Sequence, residues 1–93
     1  MSFQISEEAG RFVAKDEDGL EVGEVTFIRN GDKVLVINHT GVDPAYRGHG
    51  IAGELVRHVA EKAKNEGLKI DPVCTYAKKE LERDPKYSGI LKN

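Results

Sequence analysis

Apolar residues alternate with polar ones in much of the first half of the chain and recur at helical spacing in the second. Phe12 and Ala14 fall on one face between the polar Arg11 and Lys15, as on a half-buried strand. Asp16-Glu17-Asp18-Gly19 supplies a turn, with glycine where a positive φ is cheap. Residues 20–28 form the next predicted strand, with Val25 and Phe27 on one face and Glu24 and Thr26 on the other. Asn30-Gly31 favours a two-residue type I′ hairpin turn. Val34, Leu35, Val36 and Ile37 are apolar on both faces, which predicts a central strand covered on both sides. That strand continues through Asn38, His39 and Thr40 toward Val42.

The strongest helical pattern follows. Ile51, Ala52, Leu55, Val56, Val59, Ala60 and Ala63 fall on one face of a helix over residues 50–66, with Glu54, Arg57, His58, Glu61, Lys62 and Lys64 on the other. Gly67 is a natural stop. Residues 68–73 read as a short strand, weakened at its end by Asp71-Pro72. A second, shorter helix runs from Thr75 and ends before Asp84-Pro85, because the residue preceding a proline is disfavoured in α. This order predicts an α+β fold: an antiparallel meander, a strand–helix–strand unit with parallel strands, and a short C-terminal helix. At 93 residues the chain has room for one domain, residues 1–93.

Composition narrows the setting. With 39% hydrophobic and 32% charged residues, the chain is globular in character. No apolar run approaches the ~18 residues of a membrane-spanning helix. The first eight residues carry neither the basic nor the apolar segment of a signal peptide, so a cytoplasmic protein with no membrane partner is expected. Cys74, the only cysteine, has no internal disulfide partner. A net charge of −2 argues against a dedicated nucleic-acid binder. The charge is uneven, with nine acids against four bases in residues 1–46 and seven against ten in residues 47–93. A basic second half suits an anionic ligand and an acidic first half a cationic partner, beside the plain alternative of solvated surface.

The chemistry concentrates where the central strand meets the main helix. Val42-Asp43-Pro44-Ala45-Tyr46-Arg47-Gly48-His49-Gly50 ends a strand, turns, and opens a helix through glycines. A helix N-terminus presents unpaired N–H groups and partial positive charge. Gly48 and Gly50 let a ligand approach that backbone, and Arg47 adds a full charge, which is the physics of a phosphate cradle. The P-loop pattern fails, since no lysine follows Gly50 or Gly53. Gly48-x-Gly50-x-x-Gly53 matches the dinucleotide pattern, but three apparent strands precede it and the chain is too short for a doubly wound domain.

Arg47-Gly48-His49-Gly50-Ile51-Ala52 instead resembles the Q/R-x-x-G-x-G/A signature of the GNAT acetyltransferases. The flanking Val42-x-Pro44-x-Tyr46 and Ile51-Ala52-x-x-Leu55 are similar to that superfamily as well. His39-Thr40, Pro72-x-Cys74-x-Tyr76 and Asp84-Pro85-x-Tyr87 resemble its minimal, single-domain branch of small bacterial N-acetyltransferases. The resemblance, over roughly residues 20–90, implies a minimal GNAT-like fold whose two parallel strands splay apart. It implies acetyl-CoA as acetyl donor, its pyrophosphate on the glycine loop and its pantetheine arm between the splayed strands. Residues Thr40, Gly41, Val42, Arg47, Gly48, His49, Gly50, Ile51 and Ala52 would then hold the cofactor, with an oxyanion served by backbone N–H groups of residues 40–42. One departure stands out: members often carry Glu after the His-Thr pair, where this chain has Gly41.

Acetyl transfer to an amine needs a base, oxyanion donors and an acid for the departing thiolate. His39 is a candidate base, because histidine titrates near neutrality; the alternative is a ring packed on the sheet. Cys74 is a nucleophile, a proton-transfer group, or a small buried hydrophobe. Tyr76 resembles the tyrosine that protonates the CoA thiolate in many members; otherwise it caps the core. His49 reads as loop backbone or exposed ring, His58 as surface, and Tyr87 as packing for the C-terminal segment. The histidines lack metal-ligand spacing, so no metal is expected. The expected function is acetyl-CoA-dependent N-acetylation of an unidentified small or protein amine. The alternative is a non-catalytic CoA-binding or protein-interaction module of the same fold. Oligomeric state is open, and an exposed sheet edge near the N-terminus could pair with another copy.

Overall fold

The computed structural model describes residues 2–92. Five strands form one sheet in sequence order: β1 (Phe3–Glu8), β2 (Arg11–Asp16), β3 (Glu21–Asn30), β4 (Val34–Val42) and β5 (Lys69–Pro72). The first four are antiparallel neighbours, and β5 lies parallel to β4 after the crossover helix α1 (Ile51–Glu66). Helix α2 (Thr75–Glu82) follows β5. These are the fold and order that the sequence predicts, with β1 added.

Strand β1 has only Phe3 and Ile5 as apolar members before Glu7 and Glu8, too short an alternation to signal a strand. Its pairing with β2 makes it one. Phe3, Ile5 and Glu7 register opposite Asp16, Ala14 and Phe12, and Lys62 of α1 reaches Glu7 at 2.8 Å.

Both helices pack on one face of the sheet. Phe12, Val25, Phe27, Leu35, Ile37 and Ile70 meet Leu55, Val56, Val59, Ala60 and Ala63 of α1 and Ala77 and Leu81 of α2 in a single core. Burying such side chains contributes about 1.5–3 kcal/mol each. Among the described residues the other face carries no helix, so Val34 and Val36 are half-buried and Ile28, registered with Val36, is exposed. The central strand is therefore covered on one side and not two. Among the described residues, α1 and α2 both belong to the βαβ end and pack on the same face.

His58 also differs from expectation. Its ring lies 5.6 Å from that of Phe12, and Nδ1 meets the Glu54 carbonyl at 2.8 Å, so it is half-buried along α1. Tyr87 is buried and donates to Glu61 at 2.8 Å, which fastens the C-terminal segment to α1.

Two local features position the site. The β3–β4 register steps from Phe27↔Ile37 to Thr26↔His39, leaving Asn38 as an inserted residue. Such a bulge shifts the alternation, so that Thr40, opposite Val25, now shares the helical face with Leu35 and Ile37. Meanwhile β5 pairs along β4 only from Val34 to Ile37 and stops at Pro72, which lacks an N–H for the ladder. Cys74 N–H donates to Ile37 O at 3.1 Å, the last link before the strands part.

Candidate functional site

Where β4 and β5 part, a cleft of about 620 Å³ opens. His39, Thr40, Gly41 and Val42 line one wall, Tyr46, Arg47, Gly48, Gly50, Ile51 and Ala52 another, and Tyr76 a third. Ten of the twelve sequence-predicted site residues thus meet around one cavity. His49 is exposed outside it, and Cys74 stands behind Thr40 without lining it.

The turn into α1 is fixed from both sides. Asp43 donates its N–H to Val22 O at 2.8 Å, and its carboxylate accepts from Ala45 N at 2.9 Å. Tyr46 Oη donates to Asp16 Oδ2 at 3.0 Å, tying the loop to the β2–β3 turn. The other oxygen of Asp16 accepts from the Asp18 and Leu20 amides. The Leu20 amide is the main cause that holds the Asp16 carboxyl below its usual range, with Tyr46 adding to it. Tyr46 is correspondingly pushed up, first by its bond to Asp16. Sequence reasoning placed Tyr46 in the motif without a role; its partner thirty residues away was invisible there.

Gly48 and Gly50 have φ of 86° and 76°, a region costly for other residues. A Cβ on either would meet nothing within 4 Å, so backbone conformation demands glycine and the space beside it stays open. The first bond of α1 runs from Glu54 N to Gly50 O, which leaves the amides of residues 51–53 without helical acceptors. Gly50, as N-cap, offers no side chain to satisfy them. Arg47 is exposed beside them and forms no ion pair among the described residues. Close to this loop, a Cβ on Gly23 would lie 3.3 Å from Ile51 Cγ2 and 3.3 Å from Gly41 O. Glycine there lets the helix start sit tight against the sheet.

His39 is exposed on the uncovered face, opposite Thr26. A Cβ on Gly41 would fall 2.9 Å from its Nε2, so this ring placement requires glycine at 41. The departure noted in the sequence thereby has a local consequence: the imidazole lies where a larger residue would project.

Cys74 is the N-cap of α2, with its Sγ 3.8 Å from Thr40 Oγ1. Burial pushes the thiol up, but the Ala77 amide, Thr40 and the Tyr76 amide outweigh it and bring the thiol below its usual value. None of those amides reaches the geometry of a capping hydrogen bond; they act as the positive end of the helix. Tyr76 is pushed up, chiefly by burial and then by Glu80. Among the described residues, no group of three or more His, Cys, Asp or Glu side chains could hold a metal, and no helix is long and apolar enough to cross a membrane.

The chain is similar in sequence and fold to several known proteins. A GCN5-like protein from Staphylococcus aureus superposes with a TM-score of 0.78 at 28% identity, covering 97% of this chain and 88% of that one. The GNAT protein YhbS from Escherichia coli, crystallised with CoA, gives a TM-score of 0.59 at 26% identity over 64% of this chain and 37% of that one. The protein NATD1 of Homo sapiens is 34% identical over 55 residues, 59% of this chain. The chain spans about half the length of the curated NATD1 relatives it matches. The family model described as GCN5-related N-acetyl-transferase matches residues 11–90, and the chain belongs to that family.

Proposed function

We propose that the protein transfers an acetyl group from acetyl-CoA to an amine, binding the donor in the cleft between β4, α1 and α2. The observation that carries this reading is the meeting of an unpaired strand edge with an unsatisfied helix N-terminus in one cavity. The fit to acetyl-CoA is direct. The open cradle over Gly48 and Gly50, the free amides of residues 51–53 and Arg47 suit a pyrophosphate. The free edge of β4 at residues 39–42 offers backbone groups to an extended amide-bearing arm. When bound, acetyl-CoA supplies the acetyl group as an activated thioester.

The chain's own residues supply the rest. His39 takes the proton of the attacking ammonium at Nε2, in place of a carboxylate at position 41. The Thr40 and Val42 amides, which alternate onto the free edge of β4, serve the oxyanion. Tyr76 holds at Oη the proton that a departing sulfur takes up, as a phenol does at neutral pH.

A two-dimensional NMR titration with acetyl-CoA tests the site. Large shifts at residues 40–42 and 47–52 are expected, and no shift at millimolar ligand would overturn the assignment.

The lowered thiol of Cys74, beside Thr40, favours a second reading in which the sulfur carries the acetyl group between donor and acceptor. Intact-mass analysis after incubation with acetyl-CoA would then show one added acetyl, absent in Cys74→Ala.

A further inference from the structure

Glu80 does not line the cleft, yet a side chain that does is fastened to it. Tyr76 and Glu80 lie four residues apart on α2, one helical turn, so their side chains meet. Tyr76 Oη donates to Glu80 Oε1 at 3.3 Å. Glu80 is itself held from two helices: Oε2 accepts from Arg57 Nη1 of α1 at 3.0 Å, and Oε1 pairs with Arg83. Arg57 is steadied by Glu54 at 2.7 Å. The Glu80 side chain is 10% exposed, against 74% for Arg83.

Gly53 makes room for this arrangement. A Cβ there would lie 3.2 Å from Glu80 Oε2 and 3.1 Å from Arg57 Nη1. The third glycine of the apparent dinucleotide pattern thus serves the contact between α1 and α2. A surface ion pair alone contributes only about 0–1 kcal/mol. An enclosed carboxylate with two arginines and a phenol, at the edge of a cleft, points to a role in holding the phenol.

We infer that Glu80 is a positioning residue for Tyr76: locked between α1 and α2, it fixes the phenol at the cleft wall. The inference rests on the reading of Tyr76 as acid. In that transfer the hydroxyl hydrogen turns about the Cζ–Oη bond from Glu80 to the leaving thiolate, the O–H bond of Tyr76 breaks as an S–H bond forms, and the phenolate regains its proton from water, to which Tyr76 is 42% exposed. Burial first, then the charge and hydrogen bond of Glu80, disfavour the phenolate, whereas Arg83 and Arg57 oppose them. His39, Arg47 and Tyr46 surround the same cleft.

The test is a pH titration of protein labelled with ¹³Cζ-tyrosine, with the Tyr76 signal assigned through Tyr76→Phe. Glu80→Gln keeps an acceptor and removes the charge. It should lower the Tyr76 midpoint by about one pH unit, leaving Tyr46 and Tyr87 in place. Glu80→Asp, which keeps the charge and most easily retains the fold, should preserve most of the wild-type value. Acetyl-CoA affinity should change less than about twofold in both, since Glu80 is outside the cleft. A Tyr76 midpoint unmoved in Glu80→Gln overturns the inference. Acetyl transfer to poly-L-lysine separates the two readings. If Tyr76→Phe leaves its rate intact, the acid reading fails and the inference with it. If Tyr76→Phe abolishes transfer while the Glu80→Gln midpoint stays put, only the inference fails.

Discussion

The two ends of β4 are built for opposite purposes. From Val34 to Ile37 the strand is hydrogen-bonded on both edges, to β3 and to β5, with Leu35 and Ile37 pointing into the core. From His39 to Val42 it keeps only its β3 partner, and its other edge faces a cleft. One inserted residue, Asn38, separates the two regimes. The closed end secures the fold by burial; the open end leaves backbone groups unpaired, tolerable only where solvent or a ligand satisfies them. If the proposed donor site is right, stability and binding fall to adjacent stretches of the same strand.

Substitutions at the two ends should therefore give different kinds of damage. The largest effect is expected at the closed end. Ile37→Ala removes a fully buried side chain and should cost about 2–5 kcal/mol, read as a lowered midpoint in urea denaturation. Thr40→Ala, at the open end, should cost less than about 1 kcal/mol. Equal losses at both positions would erase the contrast.

Gly50→Glu should show the reverse signature. A non-glycine residue at φ 76° costs about 1–2 kcal/mol of stability. A carboxylate at the mouth of the cradle should weaken acetyl-CoA at least about 100-fold by calorimetry, equivalent to about 2.7 kcal/mol. Retained affinity would move the pyrophosphate away from this loop.

The smallest effect is expected at the tether. Asp16 titrates lower when folded than when unfolded, so its contribution is present above about pH 4 and is lost as the pH falls through the folded value. Tyr46→Phe removes one of its donors. Acid unfolding followed by circular dichroism should begin a fraction of a pH unit higher, with little change at pH 7. An unchanged acid limb would mean that Tyr46 contributes nothing to the loop through Asp16.

Elements with a strong repeating pattern were legible in the chain itself. The seven apolar positions of α1 and the stop at Gly67 describe a helix wherever its partners lie. The glycine loop was legible for a related reason: its φ values and its place between strand and helix are local properties. Strand β1 was not, because two apolar residues carry too little signal without β2 beside them. Val34 and Val36 misled in the other direction, since apolarity on two faces does not reveal whether a second layer exists to cover them.

The site divides in the same way. His39, Arg47, Gly48, Gly50 and Tyr76 were named by residue type and motif, and the fold brings them around one cavity. Tyr46–Asp16 and Tyr76–Glu80–Arg57 were not, because each joins residues through a hydrogen bond whose geometry depends on how separate elements pack.

The order of elements after β1, the helix boundaries and the positive φ of the glycine loop were thus determined by the sequence alone, because propensity, periodicity and glycine's conformational freedom act over a few residues. The uncovered sheet face, the phase shift at Asn38, the seating of His39 over Gly41 and the lock on Glu80 were decided only by tertiary structure. Each depends on distances between residues that the chain brings together only when the sheet and both helices close on one core.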